Sequence, residues 1–295
     1  MKALKSRWFS ETLHPNFRQS LRIRRVLYRG RSAFQQIQIV DTYQFGRALL
    51  LDGVVQTTEA DEHIYHEMLT HIPMFTHPNP KRVLIVGAGD GGILREVLKH
   101  PIESATLVEI DGAVIRLSKK YLRKICADAF EDPRARVLVD DGAKFLKTTN
   151  ETFDVILVDS PDPIGPGTVL FGRAFYEDAA ARLTPQGVLA RQTGSIFLQP
   201  DELPDAITRM HGVFAHIYPY VASVPTYVGG FFSFAMGVRS SMSLPSTGDV
   251  QRRFTELEFT TQYYSPAIHQ GAFALPNRIA RQVTRELSDA QQVRR

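Results

Sequence analysis

The spacing of apolar positions changes rhythm along this chain. Leu21, Ile23, Val26 and Leu27 are interleaved with arginines, and Gln36-Ile37-Gln38-Ile39 repeats with period two, as a half-buried strand does. Phe45 to Leu51 is a further apolar run, closed by Asp52-Gly53 before Val54-Val55. Asp-Gly favours the left-handed backbone of a tight hairpin. Residues 1–57 are therefore expected to form a small antiparallel β domain. Ile64, Met68, Leu69 and Ile72 then fall on one helical face, with Glu59, Asp61 and Glu62 near its start. Pro73 and the Pro78-Asn79-Pro80 cluster are expected to stop that helix.

From residue 82 short apolar runs alternate with helical segments. The runs are Val83–Val86, Ala105–Ile110, Arg136–Val139, Val155–Val158 and Val188–Ala190. Ile93–Leu98, Ala113–Leu122, Ala143–Leu146 and Ala174–Leu183 separate them with helical periodicity. Such alternation predicts an α/β fold, a parallel sheet with helices on both faces. His216–Val224 and Phe231–Met236 read as antiparallel strands closing one edge. Residues 58–295 are thus expected to form a Rossmann-like doubly wound domain.

Composition narrows the function classes. No run of 18 apolar residues suggests a membrane span, and Met1 to Glu11 lacks the apolar stretch of a secretory signal. One cysteine, Cys126, allows no internal disulfide, and no Cys/His cluster has zinc spacing. A cytoplasmic protein is expected, with Cys126 as a small buried hydrophobe. The net charge is +4, and Arg22, Arg24, Arg25, Arg29 and Arg31 cluster near the N-terminus. No aromatic or groove-reading motif accompanies them, so a solvated or subunit-facing strand edge is expected rather than a nucleic-acid site.

Candidate chemistry sits at the ends of the predicted strands. Gly87-Ala88-Gly89-Asp90-Gly91-Gly92 has GxGxxG spacing between a strand and a helix, which permits a tight turn and close ligand approach to backbone. Glu109 closes the next strand at the spacing of an acid that accepts ribose hydroxyls, and Asp140-Asp141 precede Gly142 at the end of the third. Asp159-Ser160-Pro161-Asp162-Pro163-Ile164-Gly165-Pro166 follows the fourth, two carboxylates in a proline-stiffened loop. With Asp90 they form an acidic pocket suited to a cation. No lysine follows the glycines, which excludes a P-loop. Asp90 would repel a dinucleotide pyrophosphate, which favours a nucleoside carrying positive charge, such as a sulfonium.

These motifs, with Trp8-Phe9-Ser10-Glu11-Thr12-Leu13, Leu51 to Glu59, Asp61 to Met68, Pro225-Thr226-Tyr227 and Tyr263 to His269, resemble the spermidine synthase (polyamine aminopropyltransferase) family over nearly the whole chain. The resemblance implies a sheet of the S-adenosylmethionine-dependent methyltransferase type and a homo-oligomer, dimer or tetramer. It implies decarboxylated S-adenosylmethionine as co-substrate, with no prosthetic group or metal, and an amine acceptor, putrescine being favoured. Gln35, Gly87, Gly89, Glu109, Asp141, Gly142 and Pro166 match nucleoside-binding positions. Asp159 matches the proton acceptor, helped by Tyr65. His66, Asp90, Asp162 and Tyr227 match positions around the amines, and Trp8 is assigned the far end of the acceptor channel. Ala88 stands where the family usually has a third glycine, and Pro161 where it has Ser or Thr. Gln192-Thr193-Gly194-Ser195 also departs from the family pattern. Cadaverine, agmatine, spermidine or diaminopropane thus stay open as acceptors. A methyltransferase, or a polyamine-binding paralogue without activity, remains an alternative.

Overall fold

The computed structural model describes residues 7–11, 13–159, 172–258 and 260–292, with side chains to 287. Five strands open the chain: β1 (Arg7–Ser10), β2 (Ser20–Arg31), β3 (Gln36–Thr42), β4 (Arg47–Leu51) and β5 (Val54–Thr58). They pair antiparallel in sequential order. The predicted hairpin is present: Asp52 and Gly53 both take left-handed backbone, with φ of 47° and 81°. The period-two pattern becomes two faces. Ile37, Ile39, Leu49 and Leu51 pack towards the larger domain, while Leu21, Ile23, Val40 and Leu50 form a separate cluster opposite. Arg22, Arg24 and Arg25 are exposed on β2, with Arg22 and Arg24 lying over the Tyr43 ring at 4.5 and 5.1 Å.

Helix α1 (Glu62–Thr76) corrects one expectation: Pro73 lies inside it. A proline there removes one helical hydrogen bond and costs roughly 3 kcal/mol in an isolated helix. Burial outweighs that here. Ile72, Met74 and Phe75 are fully buried around the proline, and the His77 N–H closes the last turn onto the Pro73 carbonyl at 3.0 Å.

The second domain follows the expected alternation: β6 (Arg82–Gly87), α2 (Gly92–Leu98), β7 (Ser104–Glu109), α3 (Gly112–Tyr121), α4 (Arg123–Cys126), β8 (Ala135–Val139), α5 (Gly142–Thr148), β9 (Phe153–Asp159), α6 (Arg173–Ala181) and β10 (Leu183–Ser195). Then come α7 (Glu202–Met210), β11 (His216–Ser223), β12 (Phe231–Val238), α8 (Thr247–Leu257), α9 (Pro266–Ala272) and α10 (Asn277–Gln292). Their sheet has the order β11-β12-β10-β9-β6-β7-β8. β10, β9, β6, β7 and β8 run parallel, and β12 and β11 are antiparallel at the edge, as predicted. One apolar cluster covers each face. The first unites α1 and α2 with residues of α8 and α9; the second joins α5, α6, α7 and α10. Cys126 is buried in the reduced state.

Chain order reverses between β6 and β9. β6 leads outward through β7 to β8, and the chain then returns to place β9 on the other side of β6. Loops leaving neighbouring strands in opposite directions open a crevice at their carboxyl ends, where doubly wound sheets bind ligands. Gly87 pairs with Asp159 across this point, so the glycine loop and the acidic loop start side by side. Among the described residues no helix is long and apolar enough to cross a membrane.

Candidate active site

A cavity of about 250 Å³ occupies the switch point, roofed by residues of β4 and β5 and their neighbouring loops. The glycine loop forms its floor with a run of positive φ: Gly87 at 85°, Ala88 at 60° and Gly91 at 83°. Space as well as conformation demands glycine here. A Cβ on Gly89 would stand 2.9 Å from Glu109 Oε2, and one on Gly92 would stand 2.2 Å from the His66 ring. Ala88 is the exception, a side chain held in a region that costs an L-residue roughly 1–2 kcal/mol.

At one end stand the residues matched to a nucleoside. Glu109 ends β7, and its two carboxylate oxygens accept from the backbone N–H groups of Gly89 (3.1 Å) and Asp111 (2.8 Å). Burial pushes its pKa up to about 7, aided by the charges of Asp111 and Asp159 against the pull of those two donors. Gln35 lines the same end and donates to Asp111 Oδ2 at 3.0 Å. Asp141 lines the wall and also caps α5, accepting from Ala143 N at 2.8 Å and Lys144 N at 3.2 Å. Gly142 follows because a Cβ there would meet Val86 Cγ1 at 2.4 Å. Asp140 turns outward to Lys144 at 3.4 Å. Pro161, Asp162 and Pro166 lie outside the described residues.

The middle of the cavity holds the charged chemistry. The Tyr65 hydroxyl donates to Asp159 Oδ1 at 2.6 Å, joining two residues 94 positions apart. Enclosure raises the Asp159 pKa to about 6, with Asp90 adding repulsion and Tyr65 and His66 pulling the other way. A carboxylate poised there is ionised at neutral pH, yet basic enough to accept a proton. Asp90 Oδ1 accepts from Gly92 N at 2.8 Å, and its Oδ2 faces His66 Nε2 at 3.2 Å. Although burial opposes ionisation, His66 holds Asp90 below the ordinary range. Burial likewise opposes a charged His66, but Asp90 and Glu62 outweigh it and raise its pKa to about 10.

The far end differs from the sequence-based expectation. Trp8 does not reach it: the indole is 59% exposed on β1, opposite Arg22. A period-two strand turns neighbouring side chains to opposite faces, and Trp8 falls on the outer one. The acid three residues later does reach the cavity. Glu11 is 2% exposed, accepts from Val55 N at 2.8 Å and lines the pocket with Leu13, Gln56, Gln192, Gln199 and Val228. The only local hint was its place within the first motif. Tyr227 lines the cavity, its ring 5.2 Å from that of Tyr65, and its hydroxyl donates to the Gln56 carbonyl at 2.6 Å. Asp61 fixes the adjoining Thr226 through its N–H at 2.7 Å and hydroxyl at 2.9 Å, a tie the sequence did not announce.

Glu11, Asp90, Glu109, Asp141 and Asp159 are all in the wall, whereas among the described residues no lysine or arginine lines it. The chain is basic overall, but this cavity is acidic. It can receive a nucleoside at one end and cations in the middle and at the far end.

The family follows from the whole chain. Residues 62–244 match the family model described as the spermine/spermidine synthase domain, and residues 7–59 match the one described as the spermidine synthase tetramerisation domain. The chain belongs to this family of aminopropyltransferases. It is 46% identical to the polyamine aminopropyltransferase of Ruegeria sp. (strain TM1040) over 271 residues, covering 91% of this chain and 95% of the relative. It is 44% identical to that of Pseudomonas syringae pv. tomato over 284 residues, 95% of this chain and 99% of the relative. Its fold matches the spermidine synthase of Thermotoga maritima with a TM-score of 0.88 at 36% identity, covering 96% and 97% of the two chains. A crystal structure of spermidine synthase in complex with the transition-state analogue AdoDATO gives a TM-score of 0.90 at 36% identity, over 96% and 98%.

Proposed function

We propose that this chain transfers the aminopropyl group of decarboxylated S-adenosylmethionine to putrescine, giving spermidine and 5′-methylthioadenosine. The observation that carries the reading is the Tyr65–Asp159 pair beside Asp90, between a nucleoside-sized end and the buried carboxylate Glu11. In this reading Glu109 accepts the ribose hydroxyls, with Gln35, Gly87, Gly89, Asp141 and Gly142 enclosing the nucleoside. Asp90 and His66 receive the ammonium of the group to be transferred, which fixes its reactive carbon.

The acceptor enters as a diammonium and cannot attack in that form. Asp159, ionised above about pH 6, takes one proton from the near nitrogen, and Tyr65 holds the carboxylate in place. That nitrogen's lone pair forms the new C–N bond as the C–S bond breaks, and the bonding pair leaves on sulfur. The sulfonium becomes a neutral thioether, so the leaving group needs no proton. Tyr227 and Phe232, with ring centroids 5.0 Å apart, give the acceptor's methylenes an apolar channel. Glu11 receives the far ammonium, at the end of the channel that the resemblance assigned Trp8 to close. Asp162 and Pro166 keep the roles the resemblance implies, acceptor support and nucleoside contact.

A methyltransferase reading is disfavoured by Asp90, which would repel the carboxylate of intact S-adenosylmethionine. The match of residues 7–59 supports assembly into a homo-oligomer. The test is a mass-spectrometric product assay with decarboxylated S-adenosylmethionine and equal amounts of putrescine, cadaverine, agmatine, diaminopropane and spermidine. Spermidine with methylthioadenosine is the expected outcome. A different aminopropylated amine would replace putrescine in the reading, and no methylthioadenosine from any acceptor would end it.

A further inference from the structure

His66 sits in a chain of charged groups that runs from the cavity into the protein. Its Nε2 faces Asp90 Oδ2 at 3.2 Å, and its Nδ1 meets Glu62 Oε2 at 2.5 Å. Glu62 is in turn gripped at both oxygens by Arg95, whose Nη1 and Nη2 each donate at 2.9 Å. Arg95 continues through Nε to Glu96 at 2.8 Å, and Glu96 meets Lys99 at 2.7 Å. Three carboxylates, Asp90, Glu62 and Glu96, thus alternate with three cationic groups, His66, Arg95 and Lys99. His71 Nε2 joins the row at Glu96 at 3.0 Å, and Asp159 stands beside Asp90.

The other titratable groups around this ring are Asp159 from β9, Tyr65 beside it on α1, and Cys126 from α4 beside Asp90. His66 itself is 1% exposed, and the backbone of Gly92 closes over its ring. It has no room to swing away from an arriving ligand. A docked donor ammonium would therefore stand beside an imidazolium that shares its carboxylate, with the N–H of each directed at the same group. Two cations on one buried carboxylate repel each other, which disfavours the protonated imidazole. Glu62 accepts at Nδ1, so the proton free to leave is the one on Nε2, and its departure gives that nitrogen a lone pair facing the ammonium.

We infer that Glu62, clamped by Arg95, is a positioning residue that keeps a proton on His66 Nδ1, and that His66 releases its Nε2 proton to solvent when a donor ammonium docks on Asp90. The net charge of the site is kept: one proton leaves as one cation enters. Nε2 changes from a donor towards Asp90 to an acceptor from the ammonium, so the same ring serves the empty and the occupied site. The inference rests on the proposed identity of the donor, whose aminopropyl ammonium methylthioadenosine lacks.

Proton release is measured by isothermal titration calorimetry in two buffers of unlike ionisation enthalpy. At pH 8.5 Glu109 (about 7) and Asp159 (about 6) are ionised, whereas His66 (about 10) still carries its proton. Decarboxylated S-adenosylmethionine is expected to release about one proton more than methylthioadenosine does. His66→Gln is expected to bind both with no difference between them. Glu62→Gln, which weakens the hold on the imidazolium, is expected to release less than about half as much. Methylthioadenosine binding by each variant reports that its site has folded. Donor that binds and turns over with no extra proton released, or release that persists in His66→Gln, overturns the inference alone. Full release in Glu62→Gln removes Glu62 from it. Failure of the decarboxylated donor to bind overturns the functional reading and this inference together.

Discussion

Removing one hydroxyl at Tyr65 should move the acid limb of catalysis. The phenol donates to Asp159 at 2.6 Å, and this bond is one of two influences that lower a pKa otherwise raised by burial and by Asp90. A hydrogen bond to a charged group contributes about 1.5–3 kcal/mol, and ~1.4 kcal/mol corresponds to one pH unit. Tyr65→Phe should therefore shift the ionisation of Asp159 upward by about one to two pH units. The base must be ionised to accept a proton, so activity is lost as pH falls through its pKa. In the parent that fall is expected near pH 6, or lower once the donor's charge offsets Asp90. At pH 7 about nine-tenths of the parent carboxylate is ionised, against about half to one-tenth in the variant. The assay is methylthioadenosine formation between pH 5 and 9.5, read as kcat/KM for the acceptor at saturating donor, so that Glu109 is already engaged. The acceptor ammonium titrates near pH 10, as lysine does, and leaves the acid limb to the enzyme. A variant slowed equally at every pH, with its acid limb unmoved, would refute the argument that Tyr65 tunes Asp159.

Three further outcomes follow from the site. Methylthioadenosine affinity is expected to weaken as pH falls through about 7, because Glu109 then loses the charge with which, in the proposed reading, it accepts the ribose hydroxyls; Glu109→Gln should flatten that dependence in a titration from pH 8 to 5. Ala88→Gly should raise stability by about 0.5–1 kcal/mol in urea unfolding, since relief of ~1–2 kcal/mol of left-handed strain exceeds the added freedom of the unfolded chain. Gly142→Ala should lower stability by about 1–3 kcal/mol and weaken nucleoside binding, because its Cβ would press Val86 at 2.4 Å; an unchanged melting curve would show that the β6–α5 contact yields easily.

Much of this architecture could be read from the chain itself. Period-two and helical patterns encode which faces are buried, and Asp52-Gly53 encodes a turn, because these depend on neighbours a few residues apart. Hence the small N-terminal antiparallel sheet, the β6-to-β10 alternation and the edge pair β12–β11 were all expected, and the glycine loop and strand-end acids marked the crevice. The resemblance added roles to residues whose local pattern shows no chemistry, among them Tyr65 and Tyr227.

Tertiary structure decided the rest, and the reason is distance along the chain. Pro73 stays helical because Met74 and Phe75 bury against elements from residues the local pattern does not contain. Ala88, by composition a small change, is a strained residue because the loop's turn is already set around it. Trp8 faces outward, against expectation, because the face of a short edge strand is fixed by its partner, not by its own four residues. The state of His66 depends on Asp90, which reaches it from a different loop, and on Glu62, which Arg95 holds from a different helix. Local sequence settles elements and turns through short-range sterics and burial periodicity. Which charges meet across a reversal of strand order is settled only when the sheet assembles.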